Sequence, residues 1–265
     1  MSSLFERLRS TMLGVQSRLP VFPSSFCLVT GAPRSGTSAI ASWIGKQFRV
    51  RGFSESKILF AAHQLRQSLL SWERFPEDKI NRMVRRFVEN YYAEAGWCLG
   101  AKLLFDKEPL DPMSLPSGDY SSFLDTVEKT FPTVRFVFMV RNPESVVSSI
   151  INREWGYSVR GIDPKGRGVK EAVETWVSAN HTTAKVSGNE NVYVCQFEEL
   201  VENPGLESKK LSEFLGIAKW RDFKPKETSE VSLNSGQRRQ IRAKTEECRQ
   251  ELARNGIEYN SISYG

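Results

Sequence analysis

The stretch FCLVTGAPRSGTSAIASWI, from Phe26 to Ile44, sets an apolar β-rich run, a glycine-bounded turn and an amphipathic helical pattern in immediate succession. Phe26 to Thr30 read as a buried strand that ends at Gly31. Ile40, Trp43, Ile44 and Phe48 then recur at helical spacing and predict the core face of a helix. A strand that passes so directly into a helix belongs to a parallel sheet, because the helix carries the chain back to start the next strand.

The rest of the chain repeats the alternation. WCLGAKLLF (Trp97 to Phe105), VRFVFMV (Val134 to Val140) and NVYVCQF (Asn191 to Phe197) read as further strands. The second is nearly continuous in apolar residues, as in a strand covered on both faces. Helical stripes lie between them, at Ile58, Ala62, Leu65 and Leu69, and at Ile80, Val84, Phe87, Val88 and Tyr91. Others run through Val146 to Ile151, through Val169 to Val177, and through Leu211, Phe214 and Leu215. Asn142 followed by Pro143 is a strong helix start. The pattern predicts an α/β fold: one domain over residues 26–265 with a P-loop-type parallel sheet flanked by helices, after a helical extension over residues 1–25. RGIDPKGRG and the region from Lys224 to Gly236 read as mobile loops.

Composition sets outer limits. Of 265 residues, 40% are hydrophobic and 26% charged, as in ordinary globular domains. No stretch approaches the length of apolar sequence that crosses a bilayer. The first twenty residues lack the unbroken apolar core of a secretory signal. Leu4, Leu8, Met12, Val15 and Leu19 recur there at helical spacing, expected to pack on the domain, with weak membrane-surface contact as the alternative. Cys27, Cys98, Cys195 and Cys248 show no metal-type spacing and read as free thiols, which points to a cytoplasmic location. The net charge of +6 suits an anionic ligand, but the cations are dispersed and no aromatic–basic array of a nucleic-acid module is present. Arg82, Arg85 and Arg86 read as a solvated helix face.

The turn itself is a phosphate cradle by pattern. In G-x-x-x-x-G-K-[ST], Gly31, Gly36 and Ser38 hold their places, but Thr37 stands where the lysine belongs and Arg34 lies three residues earlier. Backbone N–H groups of such a loop and of the first helical turn converge on an anion. Thr37 and Ser38 add hydroxyl donors and Arg34 a planar charged fork. The missing lysine argues against ATP or GTP hydrolysis. A divergent P-loop kinase is the alternative reading; it needs a magnesium-binding carboxylate on a neighbouring strand, and VRFVFMV ends instead at Arg141. A non-catalytic anion- or nucleic-acid-binding module with a relic loop is a third.

TGAPRSGTS resembles the 5′-phosphosulfate loop of sulfotransferases, which use 3′-phosphoadenosine 5′-phosphosulfate (PAPS). The family's second signature, an arginine and then a serine eight residues on, is matched by Arg141 and Ser149 in FVFMVRNPESVVSSI. Ser145, Ser149 and Asn152 are expected on the polar side of the helix there. FDKEP, from Phe105 to Pro109, is similar to the Lys-Asp-Pro or Lys-Thr-Pro turn of the tyrosylprotein and bacterial carbohydrate-type branches. VYVCQFEELVENP and LARNGIEY resemble later segments, so the likeness spans roughly residues 26–259.

The resemblance implies transfer of a sulfuryl group from PAPS to a hydroxyl or amine by in-line displacement, with no metal required. It implies PAPS contacts from Arg34, Ser35, Gly36, Thr37, Ser38, Arg141, Ser149 and Phe197. Phe197 stands where many members have tyrosine, which retains packing near adenine without a phenolic hydrogen bond. Lys224, Lys226, Arg238 and Arg239 are the candidates to complete the 3′-phosphate site. Lys107 would pair with the sulfuryl or bridging oxygen, against the alternative of a salt bridge to Asp106 or Glu108. Glu55, in GFSESKILF, stands where tyrosylprotein sulfotransferases carry Glu-Thr-Arg and is a candidate general base; the alternative is that it caps the next helix. His63 is a second candidate base, Asp106 and Glu108 are others, and His181 reads as structural. The acceptor is open among a saccharide, a lipid headgroup, a small metabolite and a peptide tyrosine. Glu55 to Arg86 and Trp155 to Gly168 are expected to wall its pocket.

Overall fold

A computed structural model of the chain describes residue 23, residues 25–95, residues 100–152 apart from 113, 116, 117 and 119, and residues 168–225 and 233–257. β1 (Ser25–Gly31) leads through the glycine turn into α1 (Thr37–Ile44), and β2 (Val50–Ser54) is followed by α2 (Ile58–Ser71) and α3 (Glu77–Glu94). β3 (Leu103–Lys107) precedes α4 (Tyr120–Thr130), and β4 (Val134–Val140) precedes α5 (Pro143–Ile151) and α6 (Val169–Val186). β5 (Val192–Gln196) runs straight into α7 (Phe197–Glu202), then α8 (Pro204–Leu215) and α9 (Ser235–Arg254).

The strands form one parallel sheet in the order β2-β3-β1-β4-β5. Strand alternation divides its core. Phe26 and Leu28 of β1 face a cluster built with α2 to α6 and α9, while Cys27 and Val29 face a second one with α1, α7 and α8. β4 does the same with Phe136 and Phe138 against Val137 and Met139, which accounts for its nearly unbroken apolar run. β1 lies between β3 and β4, so the order reverses around it. The carboxyl ends of strands at such a switch point border a crevice where ligands bind.

The strand expected from Trp97 and two of the expected helical stripes need correction, and one strand was not expected at all. The third strand begins at Leu103, not at Trp97, and runs to Lys107 because β1 pairs with it along Ser25 to Val29 and β2 along Val50 to Ser54. Residues 97–99 lie outside the described residues. β2 was unannounced in the sequence: it is a short edge strand with a central glycine, and its apolar residues Val50 and Phe53 go to opposite core clusters, too irregular for a period of two. Phe48 fits the helical stripe of α1 by spacing, yet that helix stops at Ile44, Gly45 caps it, and Phe48 is 75% exposed. Phe87 and Tyr91 likewise stand partly in water, and α3 buries the narrower stripe Ile80, Val84, Val88 and Tyr92.

Other expectations hold. Asn142 caps α5, its side chain accepting from the N–H of Glu144 (2.9 Å) and Ser145 (3.4 Å), a motif that contributes about 1 kcal/mol. Cys27, Cys195 and Cys248 are free and buried, and burial raises all three thiol pKa values. Arg82 and Arg85 pair with Asp78 and Glu89 along the exposed side of α3. The expected N-terminal helix, residues 153–167 and Lys226 lie outside the described residues. Among those described, no helix is long and apolar enough to cross a membrane.

Candidate functional site

The carboxyl ends of all five strands converge. β1 delivers the glycine turn, β2 Glu55, β3 Lys107, β4 Arg141 and β5 Phe197. Gly31 has φ 126°, and a Cβ there would lie 2.3 Å from the carbonyl oxygen of Met139, so only glycine lets the loop cross β4 this closely. Gly36 has φ 102°, and its Cβ would lie 2.4 Å from Cδ2 of Phe197. Between them Ser35 is buried and donates its hydroxyl to the carbonyl of Ala32 (2.6 Å), which shapes the loop from within. No side chain caps the start of α1 at Gly36. The N–H of Ala39 turns back to the Gly36 carbonyl (3.0 Å), while the amides of Thr37 and Ser38 precede the first helical acceptor and lie at the positive end of the helix dipole, beside the loop. Thr37 is buried in that turn and Ser38 is exposed.

The two signature segments meet. Arg34, at φ 70°, donates from Nε to Oγ of Ser149 (2.8 Å), and Nη1 of Arg141 donates to the Arg34 carbonyl (3.3 Å). The Arg141 guanidinium lies over the Phe197 ring, 4.3 Å from its centroid. Ser145 is buried, and Asn152 donates to Ser148.

Two residues that sequence reasoning missed hold this arrangement. Trp176, fully buried on α6, donates Nε1–H to the Arg141 carbonyl (3.0 Å). Glu198, whose carboxyl pKa burial raises, accepts from the N–H of Asn142 (2.9 Å). The available signal for Trp176 was its place in an apolar stripe, since a buried indole N–H needs an acceptor.

Lys107 is nearly inaccessible, its side chain 3% exposed. Its Nζ donates to Oγ of Ser38 (3.1 Å) and to Oε1 of Glu55. Glu55, at φ 65°, donates its N–H to the Lys107 carbonyl (2.8 Å), and Lys57 Nζ lies 3.6 Å from its other oxygen. Burial works to raise the Glu55 pKa, but the hydrogen bond and charge of Lys107, with Lys57, hold it below the usual carboxylate value. Glu55 therefore stands as a carboxylate beside an ammonium, and it does not cap α2. That role falls to Ser56, whose Oγ accepts from the N–H of Ile58 (3.2 Å), and to Glu108, which accepts from the N–H of Lys57 (2.5 Å).

Asp106 and Glu108 flank Lys107 in sequence but face elsewhere. Asp106 accepts from Tyr92 Oη (2.7 Å), from Ser56 Oγ and from the N–H of Lys107 (2.8 Å); burial raises its pKa. Glu108 pairs with Lys57 Nζ (3.1 Å), and burial, then the charge of Asp106, raises its pKa to about 7. Neither forms the salt bridge to the Lys107 ammonium that was the alternative reading. His63 is not brought to this group: it is buried on α2, its Nδ1 2.9 Å from Thr126 Oγ1 and its ring edge-on to Phe123 of α4. His181 pairs with Glu251 of α9.

A cleft of about 590 Å³ runs from Ser38 along Ala39, Ser42 and Trp43 of α1, past Phe197 and Val201, to the segment Arg221 to Pro225. That segment is fastened by Trp43 Nε1 to the Arg221 carbonyl (2.5 Å), the Arg221 N–H to Gln47 (3.0 Å) and the Phe223 N–H to Ser208 (2.8 Å). Lys224 lines this cleft. Arg238 and Arg239 line a different one, and Arg238 pairs with Glu144 (2.8 Å).

Comparison with known proteins agrees with this layout. A model described as "Sulfotransferase family" matches residues 27–222. The protein-tyrosine sulfotransferase of Drosophila melanogaster is 26% identical over 206 residues, 73% of this chain and 38% of that protein. Protein-tyrosine sulfotransferase A of Caenorhabditis elegans is 24% identical over 215 residues, 75% of this chain and 51% of that one. The chain thus spans from 38% to 51% of the length of these curated relatives. The solved structure of a sulfotransferase from Alicyclobacillus acidocaldarius superposes with a TM-score of 0.57 at 15% identity, covering 90% of this chain and 97% of that one, which is a likeness of fold.

Proposed function

The chain belongs to the sulfotransferase family, and on that premise we propose that it transfers a sulfuryl group from PAPS to an acceptor hydroxyl, with Glu55 as general base. The observation that carries this reading is the meeting of Arg34, Ser149 and Arg141 beside the uncapped start of α1. Two guanidinium groups and a row of helix amides gathered in one place suit two separate anionic groups of one ligand. Arg34 and the first-turn amides, with Thr37 and Ser38, take the 5′-phosphosulfate. Arg141 and Ser149 take the 3′-phosphate. Phe197 presents an apolar wall to adenine, and Lys224 closes the same cleft with a further cation.

PAPS brings the activated sulfuryl group. The acceptor oxygen forms the new S–O bond as the bond to the 5′-phosphate breaks, and the acceptor proton passes to Glu55. Lys107, tethered between Ser38 and Glu55, supplies positive charge to the oxygen on which negative charge develops. As Lys107 turns toward that oxygen, Glu55 loses the contact that depresses its pKa and becomes a stronger base at the moment it is needed. The kinase reading has less support: Thr37 replaces the lysine, β4 ends at Arg141, and the Asp106 carboxylate is engaged by Tyr92 and Ser56. A peptide tyrosine is the first acceptor to assay, given what the relatives are named for, ahead of a saccharide, a lipid headgroup or a small metabolite.

Isothermal titration tests the donor site. Adenosine 3′,5′-bisphosphate is expected to bind without magnesium, and Arg141→Ala to abolish the heat. Tighter binding of magnesium–ATP than of the bisphosphate would sink the assignment.

A further inference from the structure

A second groove, of about 610 Å³, opens at the other end of the sheet, where the turn after α1, the entries to β2 and β3, and the loop after α8 come together. Lys46, Arg49, Arg51, Lys219 and Arg221 line it, and among the described residues no carboxylate does. None of these five cations takes part in an ion pair with a described residue. Elsewhere the exposed cations divide: Arg82, Lys129, Lys209 and Lys210 each have a carboxylate partner, whereas Arg86, Lys185 and Lys244 form no ion pair with a described residue, so what sets the groove apart is the gathering of such cations in one place. Arg49 and Arg51 do donate hydrogen bonds, to the carbonyls of Gly100 and Val50 (both 3.0 Å), which hold the guanidinium groups without neutralising them. Cations on an edge strand also block edge-to-edge pairing, but that leaves the groove's two aromatic side chains without an explanation.

Those side chains are Phe48, 75% exposed, and Trp220, 37% exposed. They sit on separate loops, and each is followed directly by an arginine: Lys46-Gln47-Phe48-Arg49 and Lys219-Trp220-Arg221. Aromatic rings beside cations also serve as stacking platforms for nucleobases, and Trp220, the less exposed of the two, suits that use; Phe48 instead projects into water. A hydrophobic ring projecting between uncompensated cations matches the chemistry of a bilayer interface, where rings enter the headgroup–acyl boundary and cations meet lipid phosphates and carboxylates.

We propose that this groove is a docking surface for an anionic phospholipid bilayer, with Phe48 and Trp220 inserting and the five cations lying on the headgroups. It stands apart from Glu55, Lys107 and Arg141 but shares Lys46 and Arg221 with the cleft that Lys224 lines, so the test is placed on Arg51 and Lys219, which line this groove alone.

Vesicle co-sedimentation of the full chain tests it. Phosphatidylcholine vesicles with and without phosphatidylserine are compared with a single-stranded oligonucleotide measured by fluorescence anisotropy. Wild type is expected to pellet with the anionic vesicles only and to be released at high salt. Arg51→Glu with Lys219→Glu is expected to reduce partitioning at least about 25-fold, at about fivefold for each surface cation removed. Phe48→Ser should weaken partitioning too, with every charge in place. All these side chains are exposed, so an unchanged melting temperature is expected. Bisphosphate affinity should stay at the wild-type value in the Arg51→Glu, Lys219→Glu variant. Failure to bind anionic vesicles, equal binding to neutral ones, or binding that survives the double charge reversal would each overturn the proposal. So would oligonucleotide binding that the double reversal removes while vesicles are ignored, which would reassign the groove to a nucleic-acid strand.

Discussion

Nε of Arg34 lies 2.8 Å from Oγ of Ser149, a residue 115 positions later, and this hydrogen bond joins the loop after β1 to the helix after β4. The hydrogen bond couples the two segments, so if both hold the donor as proposed, their substitutions should not add. Arg34→Ala is expected to weaken bisphosphate binding about 100-fold and Ser149→Ala about tenfold, as for losses of charge-assisted hydrogen bonds. The double variant should be little worse than Arg34→Ala alone. Titration of all four proteins closes the cycle, and strictly additive losses would show that the two residues work independently.

Glu55 and Lys107 should separate chemistry from binding. Glu55→Gln keeps the size of the side chain and an acceptor for Lys107 but cannot take a proton. Turnover is expected to fall at least about 100-fold with bisphosphate affinity unchanged. Lys107→Ala should lower kcat by a similar factor through lost charge stabilisation. Single-turnover rates with PAPS and a tyrosine peptide measure both. Wild-type turnover in Glu55→Gln would remove it as the base.

The Glu108 carboxyl sets two opposed pH dependences. Its folded pKa is raised from 4.5 to about 7, so the folded chain binds this proton more tightly than the unfolded one. Its stability contribution is thus full below the unfolded value and is lost as pH rises through about 7. Asp106, also raised by burial, acts in the same direction. Activity should run the other way. Ionised Glu108 clamps the backbone and ammonium of Lys57, which holds the turn that presents Glu55 to Lys107. Wild type should therefore lose melting temperature and gain kcat/KM across this interval. Glu108→Gln, which retains an acceptor for the Lys57 N–H, should flatten both curves near neutrality. An unaltered kcat/KM profile in Glu108→Gln would detach this residue from the reaction.

The parts of the site legible in the sequence are those with a local signature. The strand, glycine turn and helix around Arg34 announce themselves by composition and period, and Asn142-Pro143 does so by capping chemistry. Relationships between distant segments leave no such trace. Nothing near Glu55 says that Lys107, 52 residues on, will hold it, or that Asp106 will turn to Tyr92 instead of to the lysine beside it. Phe48 misled because three earlier residues of its stripe are in the helix and Gly45 ends the helix before the fourth. β2 was hidden because a short edge strand with glycine at its centre and only Val50 and Phe53 apolar, one toward each core cluster, lacks the contrast that periodicity needs.

Gly36 offers a test of how the glycine loop is coupled to Phe197, the proposed adenine wall. A Cβ at this position meets two obstacles: the backbone φ of 102°, which side chains rarely adopt, and the Phe197 ring at 2.4 Å. Gly36→Ala is expected to cost about 1–3 kcal/mol of stability through backbone strain, and more if the ring cannot move. If the ring does move, it leaves its place beneath the Arg141 guanidinium, so bisphosphate affinity should fall even though no ligating group is removed. Adding Phe197→Ala to Gly36→Ala separates the two effects, because it relieves the contact but not the φ strain. Stability should recover only in part, and affinity should stay low because the adenine wall is gone. Full recovery of stability would assign the whole cost to the ring. Wild-type affinity in Gly36→Ala would mean that the contact between this loop and Phe197 has no part in holding the donor.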